Sequence, residues 1–498
     1  MKFGAIALLI ALAALPCAAQ LTDVQNPKQQ TRNDAAQTVP PWVVAGQQVI
    51  QELAAGQFDK VEAQYDPKMT TANPAGRLAD AWGSIVKLEG AFQSIAGIRA
   101  GKVQNFNAVL FTCKFEKALV DAEIVYQQDG KIAGLHFGPH QQPLPAWTAP
   151  AYAQPSAFTE QPLNLVNGAF EMPGTLTAPN GTGPFPAAVL LQDAGPHDQD
   201  ETIGPNKPMR DLAWGLASRG IAVYRYVKRT AKYGAKSNAD PAKLTVDDEV
   251  MSDARAAVAM LAKQPKIDPS RIYIIGIGLG GYVAPRIAAG DPQIAGIVAM
   301  GANTRPLEKE MVTALQYVAK EDAEQAAAAA ANKPSLAPKP TGEAAPKATP
   351  RPSAEDEKAI AIAEDSAKQI ENPNLKPGDS VQVLDGTMAA SYWLDLRDYN
   401  PVETAERLRI PLLILQGGRD FQVTPEDDFS GWQSAFAHRR NATLKLYPDL
   451  NHLFIFGTGP SFPEDYSKPG HVDEQAISDI SSWITAGGKR PAPHGTAN

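Results

Sequence analysis

The sequence predicts an α/β fold, a mostly parallel sheet with helices on both faces, preceded by a small α+β domain. From residue 186 to residue 486, short apolar runs alternate with helical patterns, which indicates parallel strands joined by crossover helices. Before residue 139, helical periodicity is followed by runs that alternate apolar and polar residues, which indicates helices and then an antiparallel sheet. A proline-dense stretch at 139–157, predicted to be an extended linker, separates the two regions.

Length and composition bound the classes of function. The chain has 498 residues, more than one hydrophobic core usually serves, so two domains and linkers are expected. Apolar residues make up 44% and charged residues 20%, as in an ordinary soluble globular protein. The net charge of -8 argues against a nucleic-acid partner.

The first 19 residues have the pattern of a signal peptide. Lys2 supplies the positive start, residues 3–15 are apolar, and small residues follow before a cleavage site. Because the apolar run is too short to span a bilayer, we predict no membrane span and export to the periplasm or the extracellular space. A lipoprotein anchor on Cys17 is the alternative, which Pro16 disfavours because a small residue is expected just before a lipid-modified cysteine. Residues 20–40 are polar and are predicted to form a mobile leader.

Residues 41–138 are predicted to form the small α+β domain, a packing or binding module without an obvious reactive constellation. Apolar residues at helical spacing begin it, and a helical hairpin is expected to continue to about residue 92. Three antiparallel strands follow from residue 102, the last two joined by a tight turn at 128–131. Cys113 is the one cysteine left after cleavage, and its alternating run predicts a packed strand residue.

The second domain is predicted at 158–490. An insertion at 305–400 interrupts its alternation; residues 333–353 of it are of low complexity, and helices are expected at 354–370 and 380–394. An insertion at this place in an α/β domain usually forms a cap over the site at the carboxyl ends of the strands. The predicted strands are 186–192, 220–226, 271–275, 294–300, 410–416 and 442–447. The principal predicted helices are 209–219, 282–289 and 473–486.

The stretch at 272–284 has the outline of a nucleophile elbow, a sharp strand-to-helix turn that raises one side chain above a parallel sheet. The elbow pattern is G-x-S-x-G, and its outer glycines are Gly276 and Gly280. Gly278 stands where the serine belongs, between Ile277 and Leu279. The sequence therefore keeps the scaffold of a nucleophile and lacks the nucleophile itself.

Residues 160–487 resemble the α/β-hydrolase fold, specifically secreted bacterial serine esterases and acyl hydrolases with a small N-terminal domain. The elbow carries part of this resemblance. Asp420, in a turn after an apolar strand, matches the triad acid of the family, and His452 matches the triad base. The chain order of nucleophile, acid and histidine is that of the family. The resemblance implies that Asp420 fixes the tautomer of His452, which would take a proton from an attacking hydroxyl.

Two parts of the acyl-transfer machinery depart from this family. Gly278 has no side chain with which to attack a carbonyl. The family commonly carries a His-Gly pair near its oxyanion hole, and Gln192 and Asp193 align with that pair. A carboxylate at Asp193 opposes a developing oxyanion, since the hole depends on fixed donors, whereas the backbone N–H of Leu279 remains.

Three hypotheses follow, since losing a triad serine costs on the order of 10⁶ in kcat. The first, which we prefer, is a catalytically dead or very weak pseudoenzyme that retains a pocket for a small-molecule ester or acyl ligand. The second is an active hydrolase in which His452 activates a water held above Gly278. The third is a non-catalytic binding or partner protein. No metal or cofactor is predicted, because the seven histidines lack ligand spacing and the glycine cluster fits a dinucleotide fingerprint only in part.

Overall fold

The computed structural model describes residues 22–23, 39–73, 76–103, 106–140, 144–331, 350–384 and 386–488. The predicted signal peptide, most of the predicted leader and most of the predicted low-complexity segment lie outside these residues. The chain divides into two compact units, with the division between residues 143 and 144.

The first unit is an α+β domain with a five-stranded antiparallel sheet in sequential strand order, and its helices lie in the chain between the first and the second strand. Its core is built from alternate strand residues packed against the helices. Cys113 lies in this core, and burial raises the pKa of its thiol to about 12, as expected for a packed strand residue. Its elements are α1 Pro41–Ala54, α2 Phe58–Glu62, α3 Pro67–Ala72, α4 Arg77–Glu89, and strands β1 Thr22–Asp23, β2 Phe92–Val103, β3 Phe106–Phe115, β4 Leu119–Tyr126 and β5 Ile132–Pro139.

Two strands of this sheet were not expected from the sequence. The long strand β2 occupies residues that precede the predicted start of the sheet, and β1, inside the predicted mobile leader, pairs with it. The ladder between β2 and β3 shifts register between Phe92 and Ser94 and between Ile95 and Gly97. These irregularities break the alternation by which a strand is recognised.

The second unit contains an eight-stranded sheet in the order β17-β16-β13-β12-β10-β11-β9-β6. The strands from β17 to β11 are parallel, and β9 and β6 are antiparallel to their neighbours. The strands are β6 Phe158–Pro162, β7 Leu165–Asn167, β8 Phe170–Met172, β9 Gly174–Pro179, β10 Phe185–Leu191, β11 Ala222–Tyr226, β12 Ile267–Ile277, β13 Ile294–Met300, β14 Ser380–Val383, β15 Gly386–Ala389, β16 Leu412–Gly417 and β17 Ala442–Tyr447.

Helices cover both faces of this sheet. Along β10, Val189 belongs to one hydrophobic core and Leu190 to the other, so both faces of the strand are buried. This two-sided burial explains why the central strands are uninterrupted apolar runs. The fold is that of an α/β-hydrolase. Its helices are α5 Pro208–Ala217, α6 Arg229–Tyr233, α7 Ser252–Leu261, α8 Leu279–Ala289, α9 Leu307–Ala331, α10 Ala354–Glu371, α11 Ala390–Leu396, α12 Pro401–Glu406, α13 Ser430–Phe436 and α14 Glu474–Thr485.

The insertion follows the expectation at one helix and departs from it at the other. Helix α10 begins at a capping box made by Ser353 and Asp356, as its sequence favours. The helix expected at 380–394 was wrong over its first ten positions, because β14 and β15 form a hairpin there and only α11 is helical. The alternate burial of Val381 and Val383, followed by an Asp-Gly pair, is a hairpin signal that the helical interpretation overlooked.

Part of the predicted proline-dense linker packs as a portion of the second unit. Trp147 donates its Nε1–H to Asp211 at 2.9 Å and lies edge-on to Trp214, with ring centroids 5.1 Å apart. Tyr152 donates its hydroxyl to the carbonyl oxygen of Val472 at 2.7 Å. Aromatic side chains therefore anchor a stretch whose prolines predict only an extended spacer.

Candidate active site

The site lies where two adjacent parallel strands end. In the ladder between β10 and β12, Leu191 pairs with Gly276. Asp193 and Gly278 each follow two residues later, so the two positions leave the sheet side by side. The carboxyl ends of parallel strands are where α/β proteins place ligands.

Gly278 adopts the conformation of an elbow. It ends β12 and caps α8, with φ of 52° and ψ of -120°. A residue other than glycine is strained at this positive φ, a cost of about 1–3 kcal/mol that functional sites commonly carry. The elbow predicted from the glycine pattern is therefore present, with no side chain at its tip.

The carboxylate of Asp193 fills the space that the elbow side chain would need. A Cβ added at Gly278 would lie 2.0 Å from Asp193 Oδ1 and 2.3 Å from its Cγ. The same Oδ1 accepts hydrogen bonds from the backbone N–H of Ala194 and of Leu279, each at 2.7 Å. Two converging backbone donors at an elbow form an oxyanion hole. Asp193 thus occupies both the nucleophile's place and the hole.

His452 and Asp420 form the pair expected of a triad. His452 Nδ1 lies 2.8 Å from Asp420 Oδ2, and both side chains are buried. Asp420 Oδ1 accepts from the backbone N–H of Gln422 and of Val423, both at 3.0 Å, which fixes the carboxylate. On the opposite side of the ring, His452 Nε2 lies 3.4 Å from Asp193 Oδ2 and makes no hydrogen bond within the described chain.

The imidazole therefore stands between two carboxylates. Burial works against protonation of His452, but the charges of Asp420 and Asp193 outweigh it and hold the pKa of the ring well above its ordinary value. Burial likewise works to raise the pKa of Asp193, but His452 and the two backbone donors outweigh it and hold that pKa below its ordinary value. His452 thus contacts Asp420 through Nδ1 and faces Asp193 through Nε2, and both carboxylates favour the protonated ring.

Three further ionisable side chains support the turn that carries Asp193. Lys228 Nζ donates to the carbonyl oxygen of Asp193 at 2.6 Å and to Glu249 Oε1 at 2.5 Å. Glu249 Oε1 also accepts from the backbone N–H of Gly195 at 3.0 Å. The buried Glu201 accepts from the backbone N–H of Asp193 at 3.2 Å. Burial and the charge of Asp193 raise the pKa of Glu201 to about 8, which keeps this carboxyl neutral at neutral pH.

A pocket opens beside the Asp193 carboxylate, with about 530 Å³ of empty space, part of it open to solvent. Half of its wall comes from the insertion, which agrees with a cap placed over the strand ends. Burial and the charges of Asp193 and Asp428 raise the pKa of Glu310, one of the lining residues, well above its ordinary value. The lining residues are Asp193, Ala194, Gly195, Glu249, Leu307, Glu310, Met388, Tyr392, Trp393 and Gln422.

The structure brings together all five site positions identified from the sequence, with different roles for some of them. Leu279 provides a hole donor, as expected. The backbone N–H of Asp193 is not a donor of the oxyanion hole, because it donates to Glu201. The side chain of Asp193 occupies the hole instead. Ala194 supplies the second donor, which sequence reasoning missed. The space above Gly278, expected to hold a water, is filled by Asp193. The strand pair Leu191 and Gly276, from which both positions are two residues away, is defined by the register of the sheet, so the sequence carried no direct signal for this occupancy.

Comparison with known proteins places the chain in a family. Residues 207–458, half of the chain, match the family described as serine aminopeptidase, S33. Esterase EstD of Thermotoga maritima is 34% identical over 435 residues, which cover 87% of this chain and 93% of that protein. The chain belongs to this esterase-like family of α/β-hydrolases. Residues 46–135, in the first unit, match a family described as a protein of unknown function, DUF3887.

Two solved structures of esterases are among the proteins to which the chain is similar. An esterase from Pyrococcus furiosus is 16% identical, with 70% of this chain and 99% of that chain covered at a TM-score of 0.40. Est1E from Butyrivibrio proteoclasticus is 13% identical, with 65% and 99% covered at a TM-score of 0.39. Neither similarity bears on the chemistry of the altered site in this member of the family.

Two features are absent from the described residues. No group of three or more His, Cys, Asp or Glu side chains in that part of the chain is arranged to hold a metal ion. No described helix combines the length and the apolar character that crossing a bilayer requires.

Proposed function

We propose that the chain is an exported member of its family that does not hydrolyse carboxylic esters through an acyl-serine, and that it keeps a pocket for an ester or acyl ligand. One observation carries the proposal. The carboxylate of Asp193 occupies both the nucleophile's place above Gly278 and the oxyanion hole. A substrate carbonyl finds neither an attacking hydroxyl nor free donors there. The serine alone is worth on the order of 10⁶ in kcat in such a site.

Direct activation of water by His452 is the less favoured route to ester hydrolysis. A general base needs a free nitrogen near the operating pH. The raised pKa of His452 keeps the ring protonated, and its Nε2 faces Asp193 Oδ2 rather than an open site. Both observations count against a hydrolytic water in the resting protein.

Export rests on the pattern of the first 19 residues, with a lysine, an apolar run and small residues before a cleavage site. N-terminal sequencing of the protein recovered from culture medium or periplasm tests it. A chain beginning near residue 20 supports export, and a chain retaining the lysine at position 2 in the cytoplasm overturns it.

The loss of acyl-serine chemistry is tested by restoring both changed positions. We expect Gly278→Ser alone to stay inactive towards short-chain p-nitrophenyl esters, because its new Cβ meets Asp193 at 2.0 Å. Asp193→Gly alone frees the hole but supplies no nucleophile. The double variant Asp193→Gly/Gly278→Ser has both, and we expect it to exceed the wild type by roughly 10³-fold or more in kcat/KM.

Two results would contradict this proposal. One is ester hydrolysis by the wild type at a rate that the double variant does not exceed. The other is equal activity of Gly278→Ser and the double variant, since the carboxylate would then not be the obstruction. Circular dichroism of the four proteins checks that each is folded.

A further inference from the structure

The wall of the pocket beside Asp193 is acidic. Three of its lining residues are carboxylic acids, Asp193, Glu249 and Glu310, and the described residues that line it include no lysine, arginine or histidine. Its empty space of about 530 Å³, part of it open to solvent, is enough for a small molecule. The charge of this wall therefore bears on which ligands the pocket accepts.

Two of the three carboxyl groups already have partners. The carboxylate of Asp193 faces the ring of His452 at 3.4 Å and accepts from two backbone N–H groups. Glu249 Oε1 accepts from Lys228 Nζ at 2.5 Å, and its Oε2 accepts from the hydroxyl of Tyr392 at 2.8 Å. Because these contacts fix both groups, neither is the first choice for binding a ligand.

Glu310 is different. It lies on α9 of the insertion, is only partly buried, and its carboxyl group makes no hydrogen bond or ion pair within the described part of the chain. Burial and the charges of Asp193, Asp428 and Asp420 raise its pKa well above the ordinary value, against the opposing charge of His452. The carboxyl therefore lies in a negative potential, which stabilises a positive charge placed beside it.

Aromatic side chains from the same insertion line the pocket as well. The ring planes of Tyr392 and Trp393 are at 77° and their centroids are 5.6 Å apart. Tyrosine and tryptophan rings attract cations to their faces. Trp393 is 3% exposed, and its Nε1–H has no hydrogen-bond partner in the described chain. Buried donors without a partner are rare, and this one suits an oxygen acceptor such as those of an ester.

We propose that the pocket takes an ester or acyl ligand that also carries a cationic nitrogen, and that Glu310 selects the cation. This inference rests on the proposed function, since it assigns the class of ligand for the same pocket. The cationic nitrogen binds beside the Glu310 carboxylate and the aromatic rings, and an ester oxygen accepts from Trp393 Nε1–H. The apolar lining residues Leu307 and Met388 contact the hydrocarbon between them.

Binding of the cation is coupled to a proton. Glu310 holds a proton at neutral pH because of its raised pKa, and a cation bound beside it favours the ionised carboxyl. The ligand therefore displaces this proton to solvent, and its affinity rises with pH. The other ionisable groups that act on Glu310 are Asp193, His452, Asp420 and Asp428, the last of which is paired with Arg305 at 2.7 Å. All of them remain in Glu310→Gln, so that variant isolates the proton of Glu310.

The first experiment compares two esters on the full-length wild type by isothermal titration calorimetry. Ethyl 6-aminohexanoate is an ammonium ion at neutral pH, and ethyl heptanoate has a methyl group in place of the ammonium. We expect the ammonium ester to bind about 10- to 100-fold more tightly, the effect of a hydrogen bond between charged groups. Equal affinities, tighter binding of the neutral ester, or no binding of the ammonium ester overturns the proposal. Because no variant is needed, the result does not depend on the folding of one.

The second experiment follows the proton. The ammonium ester is titrated in phosphate and in Tris, whose different ionisation enthalpies reveal how many protons are released. We expect close to one proton from the wild type and none from Glu310→Gln, whose preference for the ammonium ester should fall by about 10-fold or more. Glu308→Gln is the matched control and should behave as the wild type, since Glu308 is a buried carboxyl of raised pKa on the same helix that does not line the pocket. Full preference or undiminished proton release in Glu310→Gln overturns the proposal.

Equal affinity for the two esters would leave the ester pocket intact and remove only its selection of a cation. Hydrolysis of p-nitrophenyl esters by the wild type at the rate of Asp193→Gly/Gly278→Ser would contradict the proposed function, whatever the two affinities are. The calorimetric and hydrolytic results therefore distinguish the two failures.

Discussion

In the described part of the hydrolase unit, the Asp420–His452 pair lies beside Asp193, which lines the pocket, whereas the Asp211–His471 pair contacts none of the residues that line it. In the first, Asp420 Oδ2 lies 2.8 Å from His452 Nδ1. In the second, both oxygens of Asp211 lie 3.2 Å from His471 Nδ1. The first histidine is 1% exposed in its side chain and the second is 32% exposed. The contact itself is nearly the same, so the contact alone does not mark a reactive site.

The difference lies in what surrounds each pair. Asp211 also accepts from Trp147 Nε1 and from the backbone N–H of Val472, so it joins the anchored connecting segment to α5. His452 has a second carboxylate, Asp193, on its far nitrogen and lies beneath the elbow. The chemistry of the first pair therefore comes from Asp193 and the strand ends, whereas the second pair stabilises the packing of the segment.

The largest difference between the pairs should appear in catalysis. In the Asp193→Gly/Gly278→Ser background, we expect Asp420→Asn to reduce hydrolysis of p-nitrophenyl esters by about 10⁴-fold, as when a triad base loses its correct tautomer. Asp211→Asn in the same background should leave the rate unchanged. Steady-state kinetics check both. An equal loss in the two variants would mean that both act through the stability of the fold.

The stability of the fold should depend on pH because of Glu201, which lies near the Asp420–His452 pair. Glu201, behind Asp193, has a pKa of about 8 against an ordinary 4.5. It therefore stabilises the folded chain below pH 4.5, and this contribution is lost as the pH rises through 8. By proton linkage, the free energy of unfolding should fall by roughly 5 kcal/mol over this pH range. The variant Glu201→Gln, which has no carboxyl at this position, is the control.

The measurement is the urea midpoint between pH 5 and pH 8. The wild-type midpoint should fall relative to that of Glu201→Gln, since the folded state holds a proton that the unfolded state has released. Parallel curves for the two proteins would contradict the neutral state of Glu201.

The smallest expected effect is a change in the pKa of His452 when the carboxylate of Asp193 is removed. In Asp193→Asn, His452 loses one of the two charges that raise its pKa, so the pKa of the ring should fall while Asp420 keeps its contact. Histidine ring NMR signals followed against pH provide the measurement, with those of His471 as the internal reference. An unchanged His452 titration would show that Asp420 alone sets the protonation of the ring.

Features encoded locally were predicted well from the sequence. The central strands β10 and β16 are apolar runs because both of their faces are buried, and Asp420 follows β16 in a turn. His452 follows the edge strand β17, which is only partly buried. The elbow could be located because its glycines are needed where the helix packs closely, as at Gly276, where a Cβ would lie 2.2 Å from the backbone of Gly280.

Features that depend on two distant segments could not be predicted in the same way. The occupancy of the hole by Asp193 follows from the register of β10 against β12, which joins positions 85 residues apart. The hairpin of β14 and β15 has too few residues for its alternation to outweigh a helical interpretation. The anchoring of Trp147 requires Asp211 and Trp214, which a proline-rich composition does not reveal.

The backbone at Gly278 has a further consequence for the strain stored in the elbow. An elbow that carries a serine holds a side-chain-bearing residue in a conformation that costs about 1–3 kcal/mol. Glycine adopts φ of 52° without that penalty, so this chain keeps the shape of the elbow in a relaxed form. The loss of the elbow side chain at Gly278 therefore also removes the backbone strain that a serine would carry there.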